Sequence, residues 1–334
     1  MKEVLPQAPF QNFLTPLSRL RLAQSGKADK KFGKGVWGKT LFKGFSPEMK
    51  TIGQSLREAE AVLKEAGVDS PGLDAELLLA FVLGTQRTFL HKERDYILSP
   101  GEWEHLWWLI RRRSQREPLA YIIRKKEFWS LDFEINPSAL IPRPETETLV
   151  ETAIKAASAL GGKIKLLELG TGCGAIAIAL AKELKEAKLW ATDHSKRALA
   201  LAKKNARRHL VDERITFLKG DLFKPVAHRR RFFDIILSNP PYVPSGQIEG
   251  LAPEIRDYEP ISAIDGGEDG LRFHRRITEG APRFLKPGGF LLLEIGDGQE
   301  EAVAELVRSR GAFSNPEFKA DLRGSLRVVW TRLL

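Results

Sequence analysis

The stretch Leu166–Ala181, LLELGTGCGAIAIALA, decides the fold. An apolar run reads as a buried strand and closes on Glu168. Gly170, Gly172 and Gly174 then lead directly into an Ala/Ile/Leu-rich helix. Glycines between a strand and a helix let the backbone turn sharply and leave room for a ligand to approach it closely.

The same alternation continues outward. The strand KIKLLELG is followed by a helix over 175–184, the strand KLWATD, a helix over 196–209 and the strand ITFLKGD. The near-continuous apolar run FFDIILS comes next and is ended by Pro240 and Pro241, which cannot donate to a sheet ladder. A helix over 271–285, the strand GFLLLEIG, a helix over 299–310 and a terminal pair ending in LRVVWTRLL complete the series. Short βα connections of this kind predict an α/β domain with a mostly parallel sheet covered on both faces.

Upstream the period changes. From Thr51 to about Pro118, apolar residues recur at three- and four-residue steps, as in Leu56, Ala59, Val62, Leu63 and Ala66, with Gly67 as the expected helix stop. This predicts a small all-α domain over 49–118, with Trp103, Leu106, Trp107 and Ile110 in its core. Arg111, Arg112, Arg113 and Arg116 are expected on a solvated face. Residues 119–136 alternate and predict a two-stranded β-hairpin, so 119–140 is read as a linker and 141–334 as the α/β domain. Just before the Gly-rich segment, Pro142 and Pro144 hold Arg143 extended, and Glu145 to Glu147 open a helix with acids in its first turn.

Composition narrows the class. No apolar run reaches the ~18–20 residues of a membrane helix. A single cysteine, Cys173, excludes an internal disulfide framework and points to a reducing, cytoplasmic setting. The six histidines are scattered, with no zinc spacing, and no metal site is expected. Residues 1–48 carry nine Lys/Arg against three acidic residues, while the remainder carries 44 against 40. The excess charge therefore sits in a basic, low-hydrophobicity extension read as disordered, and the body lacks the charge of a large phosphate footprint. Met49 lies directly before the first helix, so translation is also expected to be able to start there.

Four strand ends carry the chemistry. The Gly-rich turn alone is shared by dinucleotide and S-adenosylmethionine sites. Asp193 ends the next strand about 20 residues on, where an acid can accept from both ribose hydroxyls of an adenosine group. Ser195 is the expected cap of the following helix, and His194 is read as surface. Asp221 could accept from an adenine amino group while Leu222 packs on the ring. At the fourth end stands Asn239-Pro240-Pro241-Tyr242. The Asn side-chain oxygen and a proline carbonyl are both acceptors, held in direction by rigid residues, and together can grip the two hydrogens of a planar –NH2 group. Tyr242 is read as stacking on its flat face. Such a grip supplies orientation and stabilises charge developing on the nitrogen. The residues leave open whether that amine belongs to a protein amide or to a nucleic-acid base. No Ser-His-Asp, Cys-His or phosphate-loop arrangement competes.

In order, LIPRPETETLVE, LELGTGCGAIAIALA, FDIILSNPPYVP, YEPISAIDGGEDGL and GGFLLLEIG resemble the HemK/PrmC-type peptide chain release factor N5-glutamine methyltransferases. The resemblance runs from about Met49 to the C-terminus. It implies a helical substrate-binding domain, a β-hairpin linker and a Rossmann-like class I S-adenosylmethionine-dependent methyltransferase domain with an antiparallel last strand. It also implies methylation of the glutamine in the Gly-Gly-Gln motif of class I release factors. Carried over, Glu168, Gly170, Thr171, Gly172, Cys173, Gly174, Asp193, Asp221, Leu222 and Asn239 would bind the cofactor. Asn239, Pro240 and Tyr242 would be catalytic, and these with Pro241, Arg143 and Glu145 would hold substrate. Ala120, Arg124 and Ser130 stand where the family commonly has Gln, Gly and Gly, which bears on hairpin geometry. Arg323 and Leu326 replace its usual Ala and Asp. The alternative is an exocyclic-amine nucleic-acid methyltransferase, such as one acting on adenine N6; duplex DNA would demand base flipping and a recognition domain, for which the chain has little room.

Overall fold

The computed structural model describes residues 50–334. The basic extension and Met49 lie outside the described residues. The chain divides into two compact units between Gln115 and Arg116.

In the first unit, helices α1 (Ile52–Glu65), α2 (Pro71–Leu83), α3 (Arg87–Lys92) and α4 (Pro100–Ser114) are set by local signals. Thr51 with Gln54, and Ser99 with Glu102, form reciprocal capping boxes at the starts of α1 and α4. Past the C-terminus of α1, Gly67 takes φ 71°, the left-handed conformation that a glycine adopts without strain. Leu63, Leu78, Leu79, Leu106 and Ile110 fill the core, with Trp107 buried and Trp103 half-buried beside them.

The arginine run is not the uniform solvated face expected from its sequence. Arg113 is buried, and its Nε donates to Asp74 Oδ2 of α2 at 2.6 Å. In the second unit Arg116 forks onto Glu254, through Nε to Oε1 at 2.6 Å and Nη2 to Oε2 at 2.7 Å. A carboxylate brought in from elsewhere in the chain decides which arginine goes inside, and no run of charges can reveal that.

The second unit opens with a helical turn, α5 (Leu119–Ile123), where alternation suggested strand; the hairpin itself is shorter, β1 (Lys125–Phe128) against β2 (Leu131–Glu134). Arg124 closes α5 at φ 57°, and Trp129 and Ser130 make the hairpin turn at φ 53° and 54°. Two of these are positions where the resembling family carries glycine. Non-glycine residues here cost about 1–2 kcal/mol each. The turn is held by Trp129 N–H donating to Glu147 Oε1 at 2.7 Å and the indole N–H to Glu183 Oε1 at 2.8 Å.

A seven-stranded sheet follows, built from β3 (Lys165–Leu169), β4 (Lys188–Asp193), β5 (Ile215–Lys219), β6 (Phe233–Ser238), β7 (Leu285–Glu294), β8 (Glu317–Ala320) and β9 (Leu326–Arg332). Its order is β5-β4-β3-β6-β7-β9-β8. The first five are mutually parallel; β9 runs antiparallel to β7, and β8 runs antiparallel to β9. Helices α6 (Glu147–Leu160), α7 (Ala175–Glu183) and α8 (Lys196–Arg208) cover one face. The other carries α9 (Arg272–Gly280) and α10 (Glu300–Arg308). Strand residues alternate between the two cores: Leu166, Leu189, Ile235 and Leu237 in one, Leu167, Leu169, Trp190 and Ile236 in the other. The helix expected to run to 285 stops at Gly280, because Pro282 has no N–H to continue the ladder; a 3-10 turn, Ala281–Arg283, leads into β7.

The chain winds outward from β3 to β5 and returns to β6 on the other flank of β3. The switch point between β3 and β6 is therefore the place where an open α/β sheet offers a crevice. Among the described residues no helix is long and apolar enough to cross a membrane.

Candidate active site

A cavity of about 420 Å³ opens at the carboxyl ends of β3, β4, β5 and β6. Of the predicted residues, Arg143, Glu168, Gly170, Thr171, Gly172, Cys173, Asp193, Asp221, Leu222, Asn239, Pro240 and Pro241 line it. Glu145, Gly174 and Tyr242 do not.

The Gly-rich turn is tied to β4. Gly170 N–H and Thr171 N–H both donate to Thr192 O, at 2.9 and 3.0 Å. Gly170 has φ 76°, and a Cβ there would meet nothing within 4 Å, so its bare Cα faces open space in the wall. Gly174 has a different task. It caps α7 at φ 87°, and a Cβ would press within 3.0 Å of the Ala202 Cβ and 3.1 Å of Ile178. It lets α7 lie close to α8.

Three carboxylates, Glu168, Asp193 and Asp221, stand in the cavity wall. Asp193 Oδ2 takes Gly172 N–H at 2.9 Å and Oδ1 takes Ser195 N–H at 2.8 Å, so backbone donors fix the carboxylate's direction. Ser195 caps α8 through Ala198 N–H at 3.2 Å. His194, read as surface, also lines the cavity while its side chain stays 62% exposed. Glu168 is 2% exposed; Oε2 accepts from the Thr171 hydroxyl at 2.7 Å, whereas Oε1 is buried with no hydrogen-bond partner. Burial drives its pKa up to about 7, with the Thr171 hydrogen bond acting against the rise. Burial likewise pushes the Cys173 thiol up to about 12, which keeps it a neutral wall residue and no nucleophile.

Two predicted residues are engaged differently from expectation. Asp221 Oδ2 is held by Arg276 Nη2 at 2.6 Å, which lowers its pKa and leaves less of it for an adenine amine. Leu222 sits in the left-handed region at φ 47°, a conformation that is costly for leucine and that brings its side chain into the wall.

At the fourth strand end, the Ser238 hydroxyl donates to Leu169 O at 2.7 Å and clasps β6 to β3 across the switch point. Asn239 Nδ2 donates to Thr146 Oγ1 at 3.1 Å. Tyr242 is turned away from the cavity, in contrast to the stacking role read from the sequence. Its hydroxyl faces Glu294 Oε1 at 3.4 Å, its carbonyl accepts from Gln299 Nε2 at 2.9 Å, and its ring lies against Gly296. Arg143 is paired with the buried Glu259, whose other oxygen accepts Ile141 N–H at 3.0 Å. Glu145 lies off the wall, and Glu147, at the start of α6, accepts from the hairpin turn.

Sequence reading missed Thr146, Glu259, Ser238 and Glu294. All four lie inside the segments that carry the family resemblance, and none announces its role by spacing. Among the described residues no group of three or more His, Cys, Asp or Glu could hold a metal ion.

The cavity thus presents a bare backbone turn, two buried carboxylates and an oriented Asn at a switch point. That acceptor set fits a ligand with ribose-type hydroxyls and a positive charge: Asp193 for the first, the orphaned Glu168 oxygen for the second. Two family models match the chain, the PrmC N-terminal domain over residues 54–123 and the methyltransferase small domain over 145–253. The release factor glutamine methyltransferase of Geobacter sulfurreducens is 43% identical over 287 residues, covering 86% of this chain and 98% of that protein. Its counterpart in Moorella thermoacetica is 39% identical over 274 residues, covering 82% and 95%. Among solved structures, the hMettl16 catalytic domain in complex with the MAT2A 3'UTR hairpin 6 superposes with a TM-score of 0.51 at 17% identity, over 66% of this chain and 81% of that one, a likeness of fold.

Fold and site together define a Rossmann-like methyltransferase. Within that class, the chain belongs to the release factor glutamine methyltransferase family.

Proposed function

We propose that the protein transfers the methyl group of S-adenosylmethionine to the side-chain amide nitrogen of the glutamine in the Gly-Gly-Gln motif of class I peptide chain release factors, in the cytoplasm. The observation that carries this reading is the Asn239 amide, turned with its nitrogen to Thr146 so that its oxygen remains to accept. A gripping residue for an –NH2 group needs an acceptor there, and a donor would repel it.

In this reading Asp193 takes the ribose hydroxyls, Gly170 to Gly172 let the cofactor lie against the backbone, and Leu222 packs on its adenine. Glu168 faces the cofactor's positive end. When bound, the cofactor supplies a methyl group on a sulfonium that departs as a neutral thioether. Asn239 Oδ1 and the Pro240 carbonyl accept the two amide N–H groups, aim the nitrogen lone pair and stabilise the positive charge that grows on it. The nitrogen gains a carbon and loses one proton to solvent, since neither acceptor holds a proton at neutral pH. Tyr242 acts from behind the motif as a support, and Arg143, fixed by Glu259, borders the approach. The helical unit is assigned to release-factor binding, and the basic extension to no step of the reaction.

The test is to incubate the protein with labelled cofactor and a release factor and to map the label by mass spectrometry. Label on the Gly-Gly-Gln glutamine is expected; label on DNA or RNA amines alone would defeat the reading in favour of a nucleic-acid enzyme. Asn239→Ala should lower kcat by about 10²-fold or more, the usual scale for losing one such acceptor or donor, with cofactor affinity within about threefold.

A further inference from the structure

The last two strands bring a turn to the edge of the sheet on which the cavity opens. β9 runs antiparallel to β7 and β8 antiparallel to β9, so β8 points the same way as the parallel strands and ends beside their carboxyl ends. The turn that follows it, Asp321 to Ser325, serves no step of the reaction described so far. It is stiff. Asp321 N–H donates to Ser325 O at 2.8 Å and Gly324 N–H to Asp321 O at 3.0 Å, with Gly324 in the left-handed region at φ 88°. The Asp321 carboxylate takes three further donors: Arg323 N–H at 2.8 Å, Ser325 N–H at 3.1 Å and Arg327 Nε at 3.1 Å.

Two contacts fix where the turn stands. On one side Arg327 Nη1 donates to Asp297 Oδ1 at 2.9 Å, and Asp297 follows Gly296, against which the Tyr242 ring lies. On the other, Arg323 Nη1 comes within 4.0 Å of Glu145 Oε1. Glu145 precedes Thr146, a cavity residue that accepts the Asn239 amide N–H. The turn therefore stands on the rim next to the amide grip.

From this mount Leu322 projects fully exposed, and the Arg323 side chain is 84% exposed. A single exposed leucine is ordinary on a protein surface. This one stands where an amide-bearing protein has to lie. A substrate protein whose side chain reaches Asn239 is far larger than a cavity of about 420 Å³, so its body covers the rim. Covering a leucine there removes apolar surface from water, and a turn already ordered gives up little freedom when it is met. The exposed pair of Arg323 with Glu145 contributes little in water, which leaves the guanidinium's other donors for a partner's carboxylate. We propose that the β8–β9 turn is a docking element for the release factor: Leu322 enters an apolar patch on the substrate's body, apart from the Gly-Gly-Gln glutamine, and Arg323 pairs with a carboxylate at the edge of that patch. This rests on the functional reading above and adds to it a substrate contact outside the cavity.

The experiment measures the dissociation constant for a release factor by calorimetry, on protein loaded with the demethylated cofactor, together with kcat and KM for transfer. The parent chain is compared with Leu322→Ser, Arg323→Glu and Leu210→Ser. Leu210 is the control, an exposed leucine between α8 and β5 at the opposite edge of the sheet. Leu322→Ser should weaken binding and raise KM about tenfold, the scale of one covered leucine, with kcat and cofactor affinity unchanged. Arg323→Glu should weaken binding about threefold or more, by a factor that shrinks at high salt. Leu210→Ser should match the parent chain, and all three variants should melt with it, since exposed positions carry little stability. Unchanged binding in Leu322→Ser, an equal loss in Leu210→Ser, or a fall in kcat in place of affinity would overturn the proposal. So would a parent chain that does not bind the release factor. A lower mass in solution for Leu322→Ser, with release-factor binding intact, would mean that a second copy of the chain covers the turn and would overturn it too. If the parent chain binds the release factor but transfers no methyl group, the functional reading fails, and the docking turn is judged on the dissociation constants alone.

Discussion

At Glu168 two demands meet in one carboxyl. A cationic ligand wants a bare negative oxygen, and an apolar strand end wants none. The folded protein holds the acid at about 7 against 4.5 for a solvated group, because burial outweighs the Thr171 hydrogen bond. A raised carboxyl pKa favours folding fully below 4.5, and that contribution is lost as pH rises through about 7. The rise corresponds to roughly 3 kcal/mol. The difference in unfolding free energy between Glu168→Gln and the parent chain should therefore move in the mutant's favour by roughly 3 kcal/mol between about pH 4 and about pH 9, as denaturant melts would measure. The same substitution should weaken cofactor binding. A pH-independent difference would mean that Glu168 is not the strained acid described here.

At the scale of elements, the packing of α7 on α8 depends on the missing side chain of Gly174. Gly174→Ala asks for a left-handed alanine and a Cβ within 3.0 Å of Ala202, which must drive the two helices apart. A loss of about 2–3 kcal/mol in stability is expected, combining the strain with the clash, and a calorimetric melt would show it. A neutral outcome would show that the two helices can separate freely. This glycine, the run of strands and the Asn-Pro-Pro sequence were legible because each is written in consecutive residues. What stayed illegible was pairing across the chain. Arg113 resembled its exposed neighbours until Asp74, 39 residues away, took it inside. Thr146 is 93 residues from the Asn239 it orients. Tyr242 looked like a stacking ring because nothing in its neighbours in sequence reveals Glu294, 52 residues on. The end of α9 was misread for a simpler reason, a proline whose effect on the helix was under-weighted.

For the whole molecule, the division after Gln115 separates two cores that answer to different perturbations. Asp74→Ala leaves the buried Arg113 short of its counter-charge and should destabilise the helical unit by about 3–5 kcal/mol. With that unit assigned to release-factor binding, KM for the release factor should rise about tenfold or more while the cofactor dissociation constant, read by calorimetry, stays put. A matching loss of cofactor affinity would mean that the two cores do not divide the work in this way. The clasp from Ser238 to Leu169 also has a bearing on substrate choice. It welds the strand that carries the cofactor turn to the strand that carries the amide grip, so the spacing between them is a fixed gauge written into the sheet. An amide carried on a shorter or longer arm would miss the line between the two motifs.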